Sequence, residues 1–79
     1  MSDQEPRDHD IVIWNIDAAG GYYRLMTGSP AVELDRLVGP WAKVMDTAKR
    51  HAVRTKSDVW SCAGNSYRRV WQFKTTDFV

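Results

Sequence analysis

The chain has 79 residues, 43% of them hydrophobic and 27% charged, and its 11 Lys and Arg side chains nearly balance 10 Asp and Glu. A chain of this length supports one hydrophobic core, which argues against a multidomain enzyme. A single cysteine excludes a disulfide within the chain. The longest apolar run covers residues 11–14 and is far shorter than the roughly 18 residues of a membrane-spanning helix, so we expect no membrane partner.

The first ten residues are acidic and polar. They contain four Asp and Glu side chains against Arg7, together with a proline and no apolar pair. Such a segment has little with which to pack, so we expect a flexible acidic N-terminal lead over 1–10 and a single domain over 11–79. The start also lacks the basic and apolar regions of a secretory signal, and we therefore expect a cytoplasmic protein.

Two β-hairpins are predicted from runs of β-branched and aromatic residues around glycine-containing turns. The first joins residues 11–17 to 22–26 through Gly20 and Gly21, and the second joins 59–63 to 67–73 through residues 64–66. Side chains alternate along a strand, which predicts that Tyr67, Arg69, Trp71 and Phe73 share one side. Residues 31–38 fit neither the helical nor the strand period, so we interpret them as an extended link.

A helix is predicted over about residues 40–55, beginning at Gly39 and Pro40. Apolar residues at positions 41, 44, 45, 48 and 52 form one stripe at helical spacing, with most of the charged residues elsewhere. The element order is then ββαββ. We expect an α+β domain in which a four-stranded, mostly antiparallel sheet carries this helix on one face.

Groups that support catalysis are sparse. The candidates are Cys62, His51 and the carboxylates of Asp17, Asp46 and Asp58, and none has a catalytic partner nearby in sequence. One cysteine and two histidines match no metal-ligand spacing, and the glycines form no phosphate-binding loop. We therefore expect no enzyme activity, no bound metal and no cofactor.

Aromatic residues are the feature that points to a function. One helix covers only one face of a sheet, whereas the predicted strands carry bulky apolar residues on both faces. The 31–38 link or Phe78 covers part of that surface in one reading. In the other interpretation, this uncovered surface binds a larger protein or ribonucleoprotein complex, because Tyr, Trp and Arg are enriched at interfaces. The predicted partner-binding residues are Tyr22, Arg24, Tyr67, Arg68, Arg69 and Trp71.

The second half of the chain is basic and supports an alternative. Between Lys43 and Lys74 there are eight Lys and Arg side chains against two Asp. Such a stretch is typical of a solvated surface or of a nucleic-acid interface, where aromatic side chains stack on bases between arginines. The residues of this alternative are Lys49, Arg50, Arg54, Arg68 and Arg69. Excess apolar surface also suits a symmetric homodimer, so both a monomer and a homodimer stay open.

A resemblance covers about two thirds of the chain, from Tyr22 to Phe73. The alanine-spaced helix with Ala42, Ala48 and Ala52, the run 57–60, the Gly-Asn turn and the run 67–70 resemble small bacterial ββαββ domains of unknown function. That resemblance implies a fold and no functional residues. In size, acidic start and lack of catalytic groups, the chain is also similar to small phage-encoded inhibitors of host defence, including anti-CRISPR proteins, which implies an inhibitor of a CRISPR effector.

Overall fold

A computed structural model describes residues 5–17, 19–28, 30–64 and 66–73. The elements are β1 (Ile11–Asp17), β2 (Tyr22–Thr27), β3 (Val32–Val38), α1 (Trp41–Thr55), β4 (Val59–Ala63) and β5 (Ser66–Trp71). The α+β class and the single helix are confirmed. The predicted four-stranded ββαββ order is wrong, because the 31–38 link forms a fifth strand and the order is βββαββ.

The five strands form one mixed sheet in the order β3-β2-β1-β4-β5. Three neighbouring pairs are antiparallel, but β1 and β4 at the centre pair in parallel. Parallel neighbours need a long crossover connection, which β2, β3 and α1 provide together. The edge strand β3 was missed because its side chains are largely exposed and show no clean alternation. A register shift opposite Leu25 and Met26 breaks that alternation further.

The main core lies between α1 and one face of the sheet, which we call the helix face. Val44, Ala48 and Ala52 are the buried residues of α1. They pack with residues of the central strands, including Ile13 and Leu25, both of which are fully buried. The small alanine side chains let the helix approach the sheet closely. In the described part of the chain, α1 is too short and too polar to cross a membrane.

A second, smaller cluster occupies the opposite side of the sheet, which we call the open face. Val12, Met26 and Trp60 are buried there, and Trp14 and Cys62 pack against them while remaining half-buried. Such a cluster explains the excess of apolar residues in the strands. Only part of the open face is covered, and the remainder forms the surface described below.

A β-bulge turns Trp71 to the helix face. Trp60 pairs with Arg69 and Val59 pairs with Trp71, so Val70 is an extra residue on β5. Trp71 and Val70 pack against the main core beside the helix. The prediction that Trp71 shares a side with Tyr67 and Arg69 is therefore wrong, because strict alternation along β5 ends at the bulge.

Candidate binding surface

Cross-strand pairing lines up side chains across the middle of the open face. Reading from β5 to β3, the register places Tyr67, Cys62, Trp14, Arg24 and Arg36 opposite one another. Paired residues on neighbouring strands project from the same face of a sheet. This row thus joins two aromatic rings and two guanidinium groups on one continuous surface.

Apolar side chains continue from this row towards one end of the sheet. Ile16, Tyr22 and Val38 are 52%, 50% and 66% exposed, and Tyr67 is 42% exposed. Ile16 lines two neighbouring hollows, one of about 290 Å³ with Tyr22 and Val38 and one of about 240 Å³ with Trp14 and Tyr67. We call these five residues, Trp14, Ile16, Tyr22, Val38 and Tyr67, the exposed apolar patch. A contiguous patch of this kind is typical of an interaction site.

Positive charge borders the patch on the β3 side. The guanidinium groups of Arg24 and Arg36 both approach the carboxylate of Glu33, at N–O distances of 3.2 Å and 3.0 Å. The other carboxylate of β3, Asp35, pairs with Leu25 and so belongs to the helix face. Glu33 alone cannot neutralise two guanidinium groups, so this border of the open face keeps a positive charge. Both arginine side chains lie beside Tyr22 and Val38.

A buried carboxylate lies just before β1, at the opposite end of that strand from Ile16. Asp10 is 1% exposed, and its Oδ2 accepts hydrogen bonds from the indole N–H of Trp60 at 3.0 Å and from the backbone N–H of Arg7 at 2.9 Å. Its Oδ1 accepts a third from the backbone N–H of Asp58 at 3.1 Å. Burial alone would raise the pKa of Asp10, but these three donors and the charge of Arg7 hold that pKa below its ordinary value.

Asp58 extends this arrangement to β5 and towards the end of the described chain. Its Oδ1 accepts a hydrogen bond from the backbone N–H of Phe73 at 3.0 Å, and its Oδ2 lies 3.4 Å from Arg69 Nε. The guanidinium of Arg69 also lies 5.0 Å from the ring centre of Trp60, within cation–π range. We call Asp10, Asp58, Trp60 and Arg69 the Asp10–Asp58 network. It ties the segment before β1 to β4 and β5.

The predicted partner-binding residues divide between the two faces. Tyr22, Arg24 and Tyr67 lie on the open face and belong to the surface just described. Arg69 shares that face, but its guanidinium is engaged by Asp58 and Trp60. Arg68 and Trp71 lie on the helix face instead, because Arg68 pairs with Ser61 and Trp71 follows the bulge.

Four of the five alternative nucleic-acid residues lie on the helix side of the sheet, since Arg68 shares that side with the three residues of α1, and only Arg69 lies on the open face. Lys49, Arg50 and Arg54 are exposed on α1, on the opposite side of the sheet from Arg69. Arg50 is paired with Asp46 at 2.8 Å, within the helix. These residues are therefore divided between the two sides of the sheet.

Sequence reasoning missed Ile16 and Val38 as surface residues and Asp10 as a core residue. Ile16 is an extra residue on β1, because Asn15 pairs with Tyr23 and Asp17 pairs with Tyr22, so strict alternation does not fix its position. Val38 gave no signal either, because the strand that carries it was interpreted as a link. Asp10 was assigned to the acidic lead, because nothing in the sequence around a single aspartate indicates that its side chain is buried.

The described residues hold no cluster of potential metal ligands. No three His, Cys, Asp or Glu side chains within residues 5–17, 19–28, 30–64 and 66–73 lie close enough to share a metal ion. The oxygens of Asp10 and Asp58, the two buried carboxylates, are engaged by donors of the fold. Cys62 lies half-buried on β4, with its Sγ 3.5 Å from the carbonyl oxygen of Gly64.

Comparison with known proteins found no match: no protein-family profile, no curated protein and no solved structure is significantly similar to this chain.

Proposed function

We propose that this protein is a non-enzymatic binding protein, an inhibitor or adaptor, that uses the open face to bind a larger protein or nucleoprotein complex. The observation that carries this proposal is the exposed apolar patch. Five apolar or aromatic side chains lie together on the sheet, and four of them are at least 42% exposed. Burial of such side chains supplies most of the favourable free energy of protein association.

The composition of the patch favours a protein partner. Ile16 and Val38 are among its most exposed members, and aliphatic side chains offer no stacking surface for bases. An apolar centre beside guanidinium groups is typical of a protein interface. The net positive charge of Arg24 and Arg36 around Glu33 calls for a partner with an acidic group next to its apolar contact region.

Nucleic-acid binding is the second candidate, and one specific observation favours it. Trp14, Tyr67 and Arg24 lie in one cross-strand row, the arrangement in which single-stranded bases stack on a sheet. We rank it second because Arg69 is engaged within the domain and the α1 cations lie on the other side. Direct binding to phosphates would weaken steeply with rising salt, which distinguishes it from the protein interface.

The partner test compares two variants of the tagged protein in a lysate of the native host. Ile16→Ser with Val38→Ser disrupts the patch, and Val53→Ser is the matched control, because Val53 is 45% exposed on α1 away from the patch. We expect the unmodified protein and the control to capture one discrete partner that survives nuclease treatment. We expect the patch variant to lose that partner while its melting temperature stays within a few degrees.

Two results would overturn the proposal. Retention of the partner by the patch variant would place the interface elsewhere, and release of the partner by nuclease would favour the nucleic-acid alternative. Light scattering across a range of concentrations tests the homodimer. A dimer that the patch variant abolishes would make the patch a self-interface.

The resemblance in kind to phage-encoded inhibitors makes a CRISPR effector the first purified partner to test with these variants. Such an effector acts in the cytoplasm, and we expect this protein to act there as well.

A further inference from the structure

A cleft of about 250 Å³ lies on the open face, directly beside the exposed apolar patch. Its apolar side is formed by Val12 and Met26, which are buried, and by the half-buried Trp14. Tyr67 also lines it, so the cleft and the patch share two aromatic residues. Residues 5–8 line the cleft together with the turn after β2.

The lining of the cleft carries an excess of negative charge. Three carboxylates line it, from Glu5, Asp8 and Asp10, against one cation, Arg7. Arg7 is already committed, because its guanidinium lies 3.6 Å from a carboxylate oxygen of Asp10 and 3.6 Å from one of Asp58. Glu5 and Asp8 are exposed, and neither has an ion-pair partner within the described ranges. Two uncompensated carboxylates therefore lie beside an apolar and aromatic surface.

We propose that this cleft receives an arginine side chain of the bound partner, an inference that rests on the proposed function. The aliphatic part of the arginine would pack on Val12 and Met26, and its guanidinium would meet Glu5 and Asp8. Long cationic side chains bury their stems on apolar surface while the charged end stays near water. A guanidinium also binds carboxylates through paired hydrogen bonds and stacks on aromatic rings, which Trp14 and Tyr67 provide at this site.

With this assignment, the open face carries opposite charges on its two sides. Arg24 and Arg36 make the β3 side positive, whereas Glu5 and Asp8 make the cleft side negative. A partner that places an acidic group on one side of its apolar contact region and an arginine on the other binds in one orientation only. Complementary charges of this kind set the register of a complex more than its affinity.

The test is an NMR titration with a small probe, N-acetyl-L-arginine N-methylamide. We expect its addition to shift the indole N–H signal of Trp14 and the amide signal of Gly28 in a saturable manner. The matched probe is N-acetyl-norleucine N-methylamide, which has an aliphatic stem without the charge and should cause little shift. Glu5→Gln with Asp8→Asn should weaken arginine binding about tenfold or more, because the two charges that meet the guanidinium are removed.

The control variant Asp35→Asn with Asp46→Asn removes the same number of charges away from the cleft and should bind the arginine probe as the unmodified protein does. Equal shifts with the norleucine probe, the absence of any shift, or equal effects of the two double variants would each overturn the proposal. Its failure is separable from failure of the proposed function. If the Glu5 and Asp8 variant retains the captured partner at full affinity while the patch variant loses it, the cleft assignment is wrong and the binding surface stands.

Discussion

The indole N–H of Trp60 donates a hydrogen bond to the carboxylate of Asp10 across 3.0 Å, joining residues fifty positions apart in the sequence. Both side chains are buried, at 2% and 1% exposure. A buried carboxylate is costly unless donors surround it, and here the backbone N–H groups of Arg7 and Asp58 complete the set. The contact fixes the segment before β1 against β4.

Replacing Asp10 should destabilise the fold. Asp10→Asn keeps the size of the side chain but presents an amide donor where the carboxylate accepts from donors, so at least one buried N–H loses its partner. We expect a loss of about 2–4 kcal/mol in the free energy of unfolding, measured by urea denaturation. Trp60→Phe removes the indole donor and also leaves a void in the buried cluster of the open face, so we expect a loss of similar size, about 2–4 kcal/mol. A loss for Asp10→Asn of under half a kcal/mol would contradict the role given to this carboxylate.

Lowering the pH should remove the contribution of Asp10 to the free energy of unfolding. Its pKa in the folded protein lies below the ordinary value of 3.8, so the charged form is favoured by folding. The resulting stabilisation is fully present above pH 3.8 and is lost as the pH falls through the lower, folded-state pKa. The difference in unfolding free energy between the unmodified protein and Asp10→Asn should therefore narrow steadily below about pH 4. A difference that stays constant from pH 7 to pH 2 would be inconsistent with this assignment.

Arg68 and Arg69 are neighbours in sequence but should differ in their effect on stability. The side chain of Arg69 is one-third exposed, pairs with Asp58 and lies over Trp60. Arg69→Ala should therefore cost about 1–2 kcal/mol, after allowance for partial screening by solvent. Arg68→Ala should change the unfolding free energy by less than about half a kcal/mol, as is usual for an exposed side chain. Equal losses of stability in the two variants, measured by thermal denaturation, would show that the Asp10–Asp58 network does not need Arg69.

Trp71 should behave as a core residue. The bulge at Val70 turns it to the helix face, where it packs against the main core and lies 6.4 Å, ring to ring, from Phe73. We expect Trp71→Ala to cost about 2–4 kcal/mol, somewhat less than a fully buried tryptophan. Tyr67→Ala, on the other side of the same strand, should cost under about 1 kcal/mol. The reverse order of the two effects would mean that strict alternation holds along β5.

The helix and the hydrophobic strands were predictable because their patterns are local. Val44, Ala48 and Ala52 fall at helical spacing, and residues 11–17 concentrate β-branched side chains, so neither element depends on distant contacts. By contrast, β3 is mostly exposed and has no such pattern, and its pairing with β2 is what makes it a strand. Parallel pairing of β1 with β4 is a long-range property that alternation within a strand does not encode.

The sequence predicted the chemical character of the candidate surface better than the residues that form it. Tyr22, Arg24 and Tyr67 lie on it, because alternation holds over the first part of each strand. The predicted face is wrong for Trp71, because one extra residue reverses the alternation there. The ion pair of Arg69 could not be predicted for a different reason. The buried Asp58 that engages its guanidinium lies eleven positions away, and no sequence pattern links the two residues. Side chains at bulges and in buried ion pairs are thus the ones that sequence periodicity misplaces.

Site-specific photo-crosslinking tests the central claim, that the open face is the binding surface, most directly. A benzophenone amino acid would replace Tyr22 in the patch and, in a separate variant, Val53 on α1, both about half exposed. We predict that the probe at position 22 crosslinks to the captured partner and the probe at position 53 does not. Crosslinking from position 53 with none from position 22 would contradict the account and move the binding surface to the helix.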